Sequence, residues 1–485
     1  MYRKTLYQLL ILTVFMVGIL TTGCKKNSPG PSQVSAKDLS KDTLYYLFKD
    51  EYLFTDFIPA YDVVKPRSFA NNDSLFAKLK RYATAPSDRY SFIDKSGAVA
   101  SVIGQGLSQG DFGLDVFYPT VSLSDLRVMD VTKGSPAYLQ GVRKGWQIIS
   151  INGSTNIAYD GPNYGNSTNL NMVINAVYNS NTTTFVFKKP DASIVTTTLN
   201  AGVYNIDPIP FDSVYTFGAR KVGYLVFSSF IDISNIKTEL DTKFANFAAK
   251  GVTDLVIDLR YNGGGSVGTS EYMANLIAPN TVGTDSTKTM YTYDFNNTIK
   301  TSNYSTFTKT CKLPPPYSTH FYSELFDTFK IDITTNFKKK GNVNVQNVVF
   351  IVTKSTASAS ELLINNLKPY MNVSLIGKTT YGKPVGFIAI PVGGYDMYAI
   401  SFRTINANGQ GDYYNGMIPA VDFYEDGAHD WGQLTENYLN QAFLTLGVKS
   451  LPILKAQNTS YGKLDNTKFD RGFKGMIETR LRKIK

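Results

Sequence analysis

Three short stretches combine residue types that could form and stabilise an acyl intermediate. The first is Asp258-Leu259-Arg260-Tyr261-Asn262-Gly263-Gly264-Gly265-Ser266-Val267-Gly268, an apolar strand running into a triple-glycine turn. Glycine lets backbone N–H groups approach a ligand closely, so such a turn can act as an oxyanion hole. The second is Thr353-Lys354-Ser355-Thr356-Ala357-Ser358-Ala359-Ser360-Glu361-Leu362-Leu363. A helix starting near Ser358 would leave its first N–H groups free and turn the positive end of its dipole toward developing negative charge. The third is Thr379-Thr380-Tyr381-Gly382-Lys383-Pro384-Val385-Gly386, which follows an apolar strand and puts Lys383 on a tight turn. A serine hydroxyl needs a base to become a nucleophile, and a lysine can serve when desolvation favours its neutral form.

Each stretch also has a plainer reading. Residues 263 to 268 satisfy the dinucleotide fingerprint, but that site needs an acidic residue closing a strand about twenty positions on. Asp285 is available there without a convincing strand before it. Ser358 and Glu361 spell a capping box, in which the serine only caps the helix. A single lysine is ordinarily a solvated surface charge. The combination of the three stretches favours the chemical reading over the separate structural ones.

Other chemistries are poorly supplied. The chain has two histidines, His320 and His429, and no metal-ligand spacing, so neither a metal nor an organic cofactor is expected. The formal net charge of +10 is spread along the sequence, and its only dense cluster is Arg480-Leu481-Arg482-Lys483-Ile484-Lys485. That pattern describes a solvated tail rather than a nucleic-acid site.

The surrounding pattern divides into a multidomain α+β chain. Residues 24–97 read as a linker and small helical domain, with aromatic and aliphatic residues at three- and four-residue steps from Lys41 to Phe48. Residues 98–206 carry short strands and turns, with one helix near Leu170 to Tyr178. Residues 207–430 alternate strands at 222–227, 255–259 and 348–352 with helices at 236–250, 267–277 and 359–368, the order of an α/β domain. Residues 431–485 hold an amphipathic helix from Leu434 to Leu446 and a polar tail.

The second of these regions resembles a PDZ domain, on Gly113-Leu114 at the loop position, Gly134-Ser135-Pro136-Ala137 before Gly141-Val142, and the segment Gly145 to Gly153. That resemblance implies that Gly113 and Leu114 lie where a peptide C-terminus would bind by strand addition. Together, Gly263-Gly264-Gly265, the Ser358 segment and Lys383 resemble the carboxyl-terminal processing, or tail-specific, serine peptidases. In that family the nucleophile lies in a Ser-Ala-Ser-Ala-Ser-Glu-like run, matched here by Thr356 to Glu361, and its lysine follows twenty-five positions later in a Thr-Phe-Gly-Lys-like turn.

The family resemblance implies an α/β catalytic domain of the ClpP/crotonase-like type. By the same likeness Ser358 is the nucleophile, Lys383 the general base, and the N–H groups of Gly263 and Ala359 the oxyanion hole. Glu361, Thr380 and Gly264 match supporting positions. Two departures are visible: Phe387 stands where many members carry a glutamine that orients the lysine, and Pro369 where some carry an aspartate. The rival readings are a peptide-holding scaffold on the same fold and, with less support, a relative of acyl-thioester enzymes.

The N-terminus reads as a targeting segment. Arg3 and Lys4 precede an apolar run from Leu9 to Leu20, too short to span a bilayer as a helix. Cys24 follows it directly, which resembles a bacterial lipoprotein signal, with residues 1–23 removed and Cys24 lipidated. Cys311 is the only other cysteine, so a lipidated Cys24 leaves no disulfide within the chain. The implied setting is the envelope of a Gram-negative-type bacterium, with the protein lipid-anchored to the outer membrane, either on its periplasmic side or at the cell surface. Its expected partners are protein or peptide substrates with free C-termini.

Overall fold

The computed structural model describes residues 35–119, 124–161, 167–285, 287–330, 333–423, 425, 427–449, 451–452 and 475–478. Cys24 and the apolar leader lie outside them. Ala36–Glu51 (α1) begins where the Ser35 side chain accepts from the Asp38 N–H. It buries Leu44, Tyr45, Leu47 and Phe48 at helical spacing. Asn72–Lys80 (α2) packs on it through Leu75, Phe76 and Leu79. These helices do not close a core of their own. Leu47 and Phe48 belong to the same buried apolar cluster as Leu225, Ile257, Phe350 and Phe387.

Next in the chain come five antiparallel strands, Leu114–Phe117 (β1), Arg127–Val131 (β2), Gln147–Ile151 (β3), Thr182–Lys188 (β4) and Ile194–Asn200 (β5). They pair in sequence order, leaving β1 as one edge. The helix Thr168–Ile174 (α3) precedes β4. This unit has a separate core around Val116, Ile148, Phe185 and Phe187.

A three-stranded sheet pairs Phe92–Asp94 with Asp396–Tyr398 and the latter with Ile390–Pro391, and the rest of the described strands form one unit of two six-stranded sheets. Its strands are Phe211–Phe217 (β6), Arg220–Val226 (β7), Asp254–Asp258 (β8), Gly264–Ser266 (β9), Thr289–Phe295 (β10), Thr334–Asn336 (β11), Asn347–Val352 (β12), Asn372–Gly377 (β13), Val385–Phe387 (β14), Ile400–Asn406 (β15), Val421–Asp422 (β16) and Gly475–Ile477 (β17). Its main helices are Ile233–Ala249 (α4), Val267–Ile277 (α5), Ala359–Leu367 (α6) and Asn437–Thr445 (α7).

One sheet runs β16-β13-β12-β8-β7-β6, parallel except for the β6/β7 hairpin. Successive side chains alternate between its faces. Leu255, Ile257, Val348 and Phe350 enter the core shared with α1, while Val256, Val349 and Ile351 meet Tyr438, Leu439 and Phe443 of α7. Both faces are therefore covered, which explains the continuous apolar runs of β8 and β12. Ile351 lies opposite Asp258, and Val352 opposite Gly377, so β8, β12 and β13 end side by side. The carboxyl ends of neighbouring parallel strands form the usual crevice of such sheets.

The second sheet runs β9-β17-β14-β15-β10-β11. The strand-then-helix pattern gives no sign of it, because β9, β11, β14 and β17 are three residues long and too short to show a two-residue period.

The shared core makes a prediction. Phe48→Ala should remove about 3–5 kcal/mol of stability. Thermal unfolding should show the loss as a downward shift of the transition that melts the α/β sheet, and an unshifted α/β transition would mean that the helices are energetically separate.

Candidate active site

Ser358 stands between β12 and α6 with φ 61° and ψ −107°, a conformation that a side chain with a Cβ rarely adopts. Such a residue costs of order 1–3 kcal/mol and persists only where its surroundings fix it. Here they do. The Ala357 N–H donates to the Asn262 carbonyl at 3.0 Å, and the Tyr381 N–H donates to the Thr356 carbonyl at 2.9 Å. The hydroxyl of Thr356 donates to the Leu259 carbonyl at 2.8 Å, and that of Ser360 to the Asn262 carbonyl at 3.1 Å. These bonds stitch the serine turn to the turn that follows β8 and, through Tyr381, to the lysine turn.

Ser358 and Glu361 have the outline of a capping box, but only the glutamate half is a full hydrogen bond. The Ser358 N–H donates to Glu361 Oε2 at 2.8 Å, but Ser358 Oγ, fully buried, has no hydrogen-bond partner. The serine hydroxyl is thus not spent on capping.

Glu361 is the centre of the arrangement. Its Oε2 accepts from the N–H groups of Ser358 and Lys383, each at 2.8 Å. Its Oε1 accepts from the Gly382 N–H at 2.8 Å and from the Thr380 hydroxyl. Burial holds the carboxyl above its ordinary value, and these four donors offset only part of that rise. The Thr380 hydroxyl is itself fixed by the Met417 N–H at 2.7 Å.

The glycine turn meets this constellation directly. A Cβ on Gly264 would stand 2.8 Å from both the Ala357 carbonyl oxygen and the Ala359 nitrogen, so only glycine fits at its φ of 102°. The Gly264 N–H is occupied by Asn262 Oδ1 at 2.9 Å. Among the described residues, neither the Gly263 nor the Ala359 N–H donates to a protein acceptor. Those two donors are the ones expected for an oxyanion hole.

Lys383 is 1% exposed. Its Nζ lies 3.8 Å from the centroid of the Phe387 ring and 5.5 Å from that of Tyr90. The residue that departs from the family pattern therefore contacts the lysine after all, with a ring face in place of an amide. Such a contact attracts and positions an ammonium. The lysine turn is also held from the N-terminal region, which the sequence does not reveal. Tyr90 donates its hydroxyl to the Gly382 carbonyl at 2.5 Å, and Arg89 donates to the Tyr381 carbonyl at 2.9 Å.

A second set of residues missed by sequence reasoning lies behind the glycine turn. Arg260 is buried against Asp258 and Glu436, and Tyr261, at φ 64°, donates its hydroxyl to Glu425. Lys144, from the five-stranded unit, reaches the same Glu425 and the Met129 carbonyl. Burial would raise the pKa of Glu425, but Lys144 and Arg260 hold it below its ordinary value. The sequence signal was Arg260-Tyr261 beside the glycines; their partners come from distant segments.

Gly113 and Leu114 lie apart, at the start of β1. Gly113 has φ 65° and donates its N–H to Asp111 Oδ1 at 2.7 Å, and the Val116 N–H donates to the Tyr178 hydroxyl at 3.2 Å. A peptide terminus docking on this edge would displace those two groups.

Residues 221–417, which contain every residue of the buried constellation around Glu361 except Arg89 and Tyr90, match the model of Peptidase family S41. The family likeness is confined to this segment. The chain is 25% identical over 351 residues to the carboxy-terminal processing protease CtpA of Bacillus subtilis (strain 168), a match covering 66% of this chain and 63% of that protein. A crystal structure described as an S41 protease from Bacteroides fragilis NCTC 9343 superposes with a TM-score of 0.59 at 20% identity, covering 83% of this chain and 96% of that one. A photosystem II D1 C-terminal processing protease gives a TM-score of 0.46 at 17% identity, covering 81% and 94%. The mixed α/β fold is thus shared with the Bacteroides protein.

Two predictions follow from the buried carboxylates. Glu361→Gln leaves one acceptor oxygen facing donors that occupied two, and unsatisfied buried donors cost about 1–3 kcal/mol each. Because small misplacements of reacting groups are costly, peptide cleavage should fall roughly 100-fold, and calorimetry should show a lower melting temperature. The folded pKa of Glu425 lies below its ordinary value, so its contribution to stability is complete above the ordinary carboxylate range and disappears as pH falls through the folded value. Denaturant titrations across this range should show a shallower acid loss in Glu425→Gln.

Proposed function

We propose that the chain is a serine endopeptidase of the carboxyl-terminal processing type, with Ser358 as nucleophile and Lys383 as general base. The observation that carries this reading is the uncommitted, fully buried Ser358 hydroxyl on a strained strand-to-helix turn, tied to the Lys383 turn through Glu361. Capping alone would engage that hydroxyl and would need no positive φ.

In the proposed reaction Ser358 Oγ bonds to the peptide carbonyl carbon as its proton passes to Lys383 Nζ. The carbonyl oxygen, now negative, is held by the N–H groups of Gly263 and Ala359. The C–N bond then breaks, and the proton on Lys383 goes to the leaving amine. Water repeats the sequence on the acyl-serine and releases the new carboxylate. Phe387, through its ring face, keeps Lys383 in position where many relatives use a glutamine.

The five-stranded unit is read as a PDZ-like domain that takes substrate C-termini at Gly113 and Leu114, and Cys24 as the lipid attachment that places the protein on the outer membrane. A peptide-holding scaffold is the second reading, favoured by the same Phe387 ring on Lys383, which stabilises an ammonium rather than a base.

The test is cleavage of an unfolded protein with an apolar C-terminus. Wild-type chain should cleave it, while Ser358→Ala and Lys383→Ala should each lose at least about 1,000-fold. Full activity in Ser358→Ala would remove the assignment, and bound but uncleaved peptide in the wild type would establish the scaffold.

A further inference from the structure

Ser358 is 0% exposed, so the structure is closed to substrate. The strand β17 lies next to that closed site. Among the described residues, it is the strand that pairs with both β9, which continues the glycine turn, and β14, which follows the Lys383 turn. Gly475 pairs with Gly264, Met476 with Gly265, and Ile477 with both Ser266 and Phe387, all in parallel.

The backbone bonds at its ends reach the catalytic candidates themselves. The Gly475 N–H donates to the Gly263 carbonyl at 3.2 Å, and the Glu478 N–H to the Phe387 carbonyl at 3.0 Å. A Cβ on Gly264 would stand 2.5 Å from the Gly475 oxygen and 2.8 Å from the Ala359 nitrogen, so the strand abuts one of the two proposed oxyanion donors. Met476 and Ile477, 0% and 3% exposed, enter the apolar core beside Phe387. Glu478 meets the Tyr293 hydroxyl at 2.5 Å.

An extended segment held by main-chain bonds between two strand edges, with side chains in pockets, is how peptides are recognised by strand addition. We propose that the slot between β9 and β14 is the substrate groove, and that residues 475–478 are its tethered occupant. The ligand class is an extended peptide with a small residue, two apolar residues and an acidic residue in succession, as in Gly475-Met476-Ile477-Glu478. This inference rests on the reading of Ser358 and Lys383 as the catalytic pair. It adds that the chain's own C-terminal segment must leave the groove before a substrate enters it.

Hydrogen exchange on full-length Ser358→Ala tests the proposal, with a synthetic peptide of residues 473–480 as the probe. Excess peptide should speed exchange at the amides of Met476 and Ile477 in the protein at least tenfold. Unchanged protection would overturn the proposal. In full-length Met476→Ala/Ile477→Ala the weakened strand should raise the cleavage rate at least tenfold, and the same peptide should inhibit competitively. Loss of folding in that variant, or a rate no higher than wild type, would show an integral core strand and also overturn it. If no form cleaves but the peptide still displaces the strand, the groove stands and the peptidase reading fails. Cleavage by wild type with undisturbed strand protection removes the groove alone.

Discussion

The site depends on one buried carboxylate being shared between two backbone turns. Glu361 accepts from the N–H of Ser358 on one side and from those of Gly382 and Lys383 on the other. The strand and helix that carry the serine are thereby locked to a turn that belongs to the next parallel strand. The energetic reasoning is that of any buried polar group: the carboxylate is costly to desolvate, and it is tolerated because donors converge on it. Once those donors are committed, neither turn can move without leaving several of them unsatisfied. The strained φ of Ser358 is sustained by the same bonds, so conformational strain and chemical positioning have a common support.

Much of this was readable in advance because it is local. Ser358, Glu361 and Lys383 sit in short strings whose residue types restrict what the backbone can do, and β8, β12 and β13 announce themselves as apolar runs buried on both faces. The capping-box string was half informative. It specified the return of Glu361 to the Ser358 N–H, but whether the hydroxyl also caps depends on a backbone angle that no string encodes. Arg89 and Tyr90 were illegible for a different reason: they act on carbonyl oxygens nearly three hundred residues away, and a carbonyl has no sequence identity. The same holds for Lys144 and Glu425. The role of Phe387 could be read as a missing glutamine but not as a ring over the lysine, because that requires the register of β14.

Lys144, Glu425, Tyr261 and Arg260 form a buried bridge from the five-stranded unit to the residues just before the glycine turn. Charged groups with this little solvent are rigid connectors, since separating them exposes unpaired charge to the interior. Through the Met129 carbonyl, β2 is therefore connected to the residues before the glycine turn by a small number of named atoms. Together with the brace from Arg89 and Tyr90, this means that three regions distant in sequence converge on the backbone around Ser358.

The position of β17 has a consequence for biosynthesis. The sheet that contains β9 and β14 is joined by residues 475–477, which emerge from the ribosome after both of those strands. Until then the glycine turn and the lysine turn are linked through the serine turn, which hydrogen-bonds to both, and through the parallel sheet behind them. A chain that folds from its N-terminus as it is made would assemble the serine, the carboxylate and the lysine first and add the adjoining strand last. The nascent protein thus passes through a stage in which the edges of β9 and β14 are open, and its own later-made residues 475–477 are the first polypeptide to meet them.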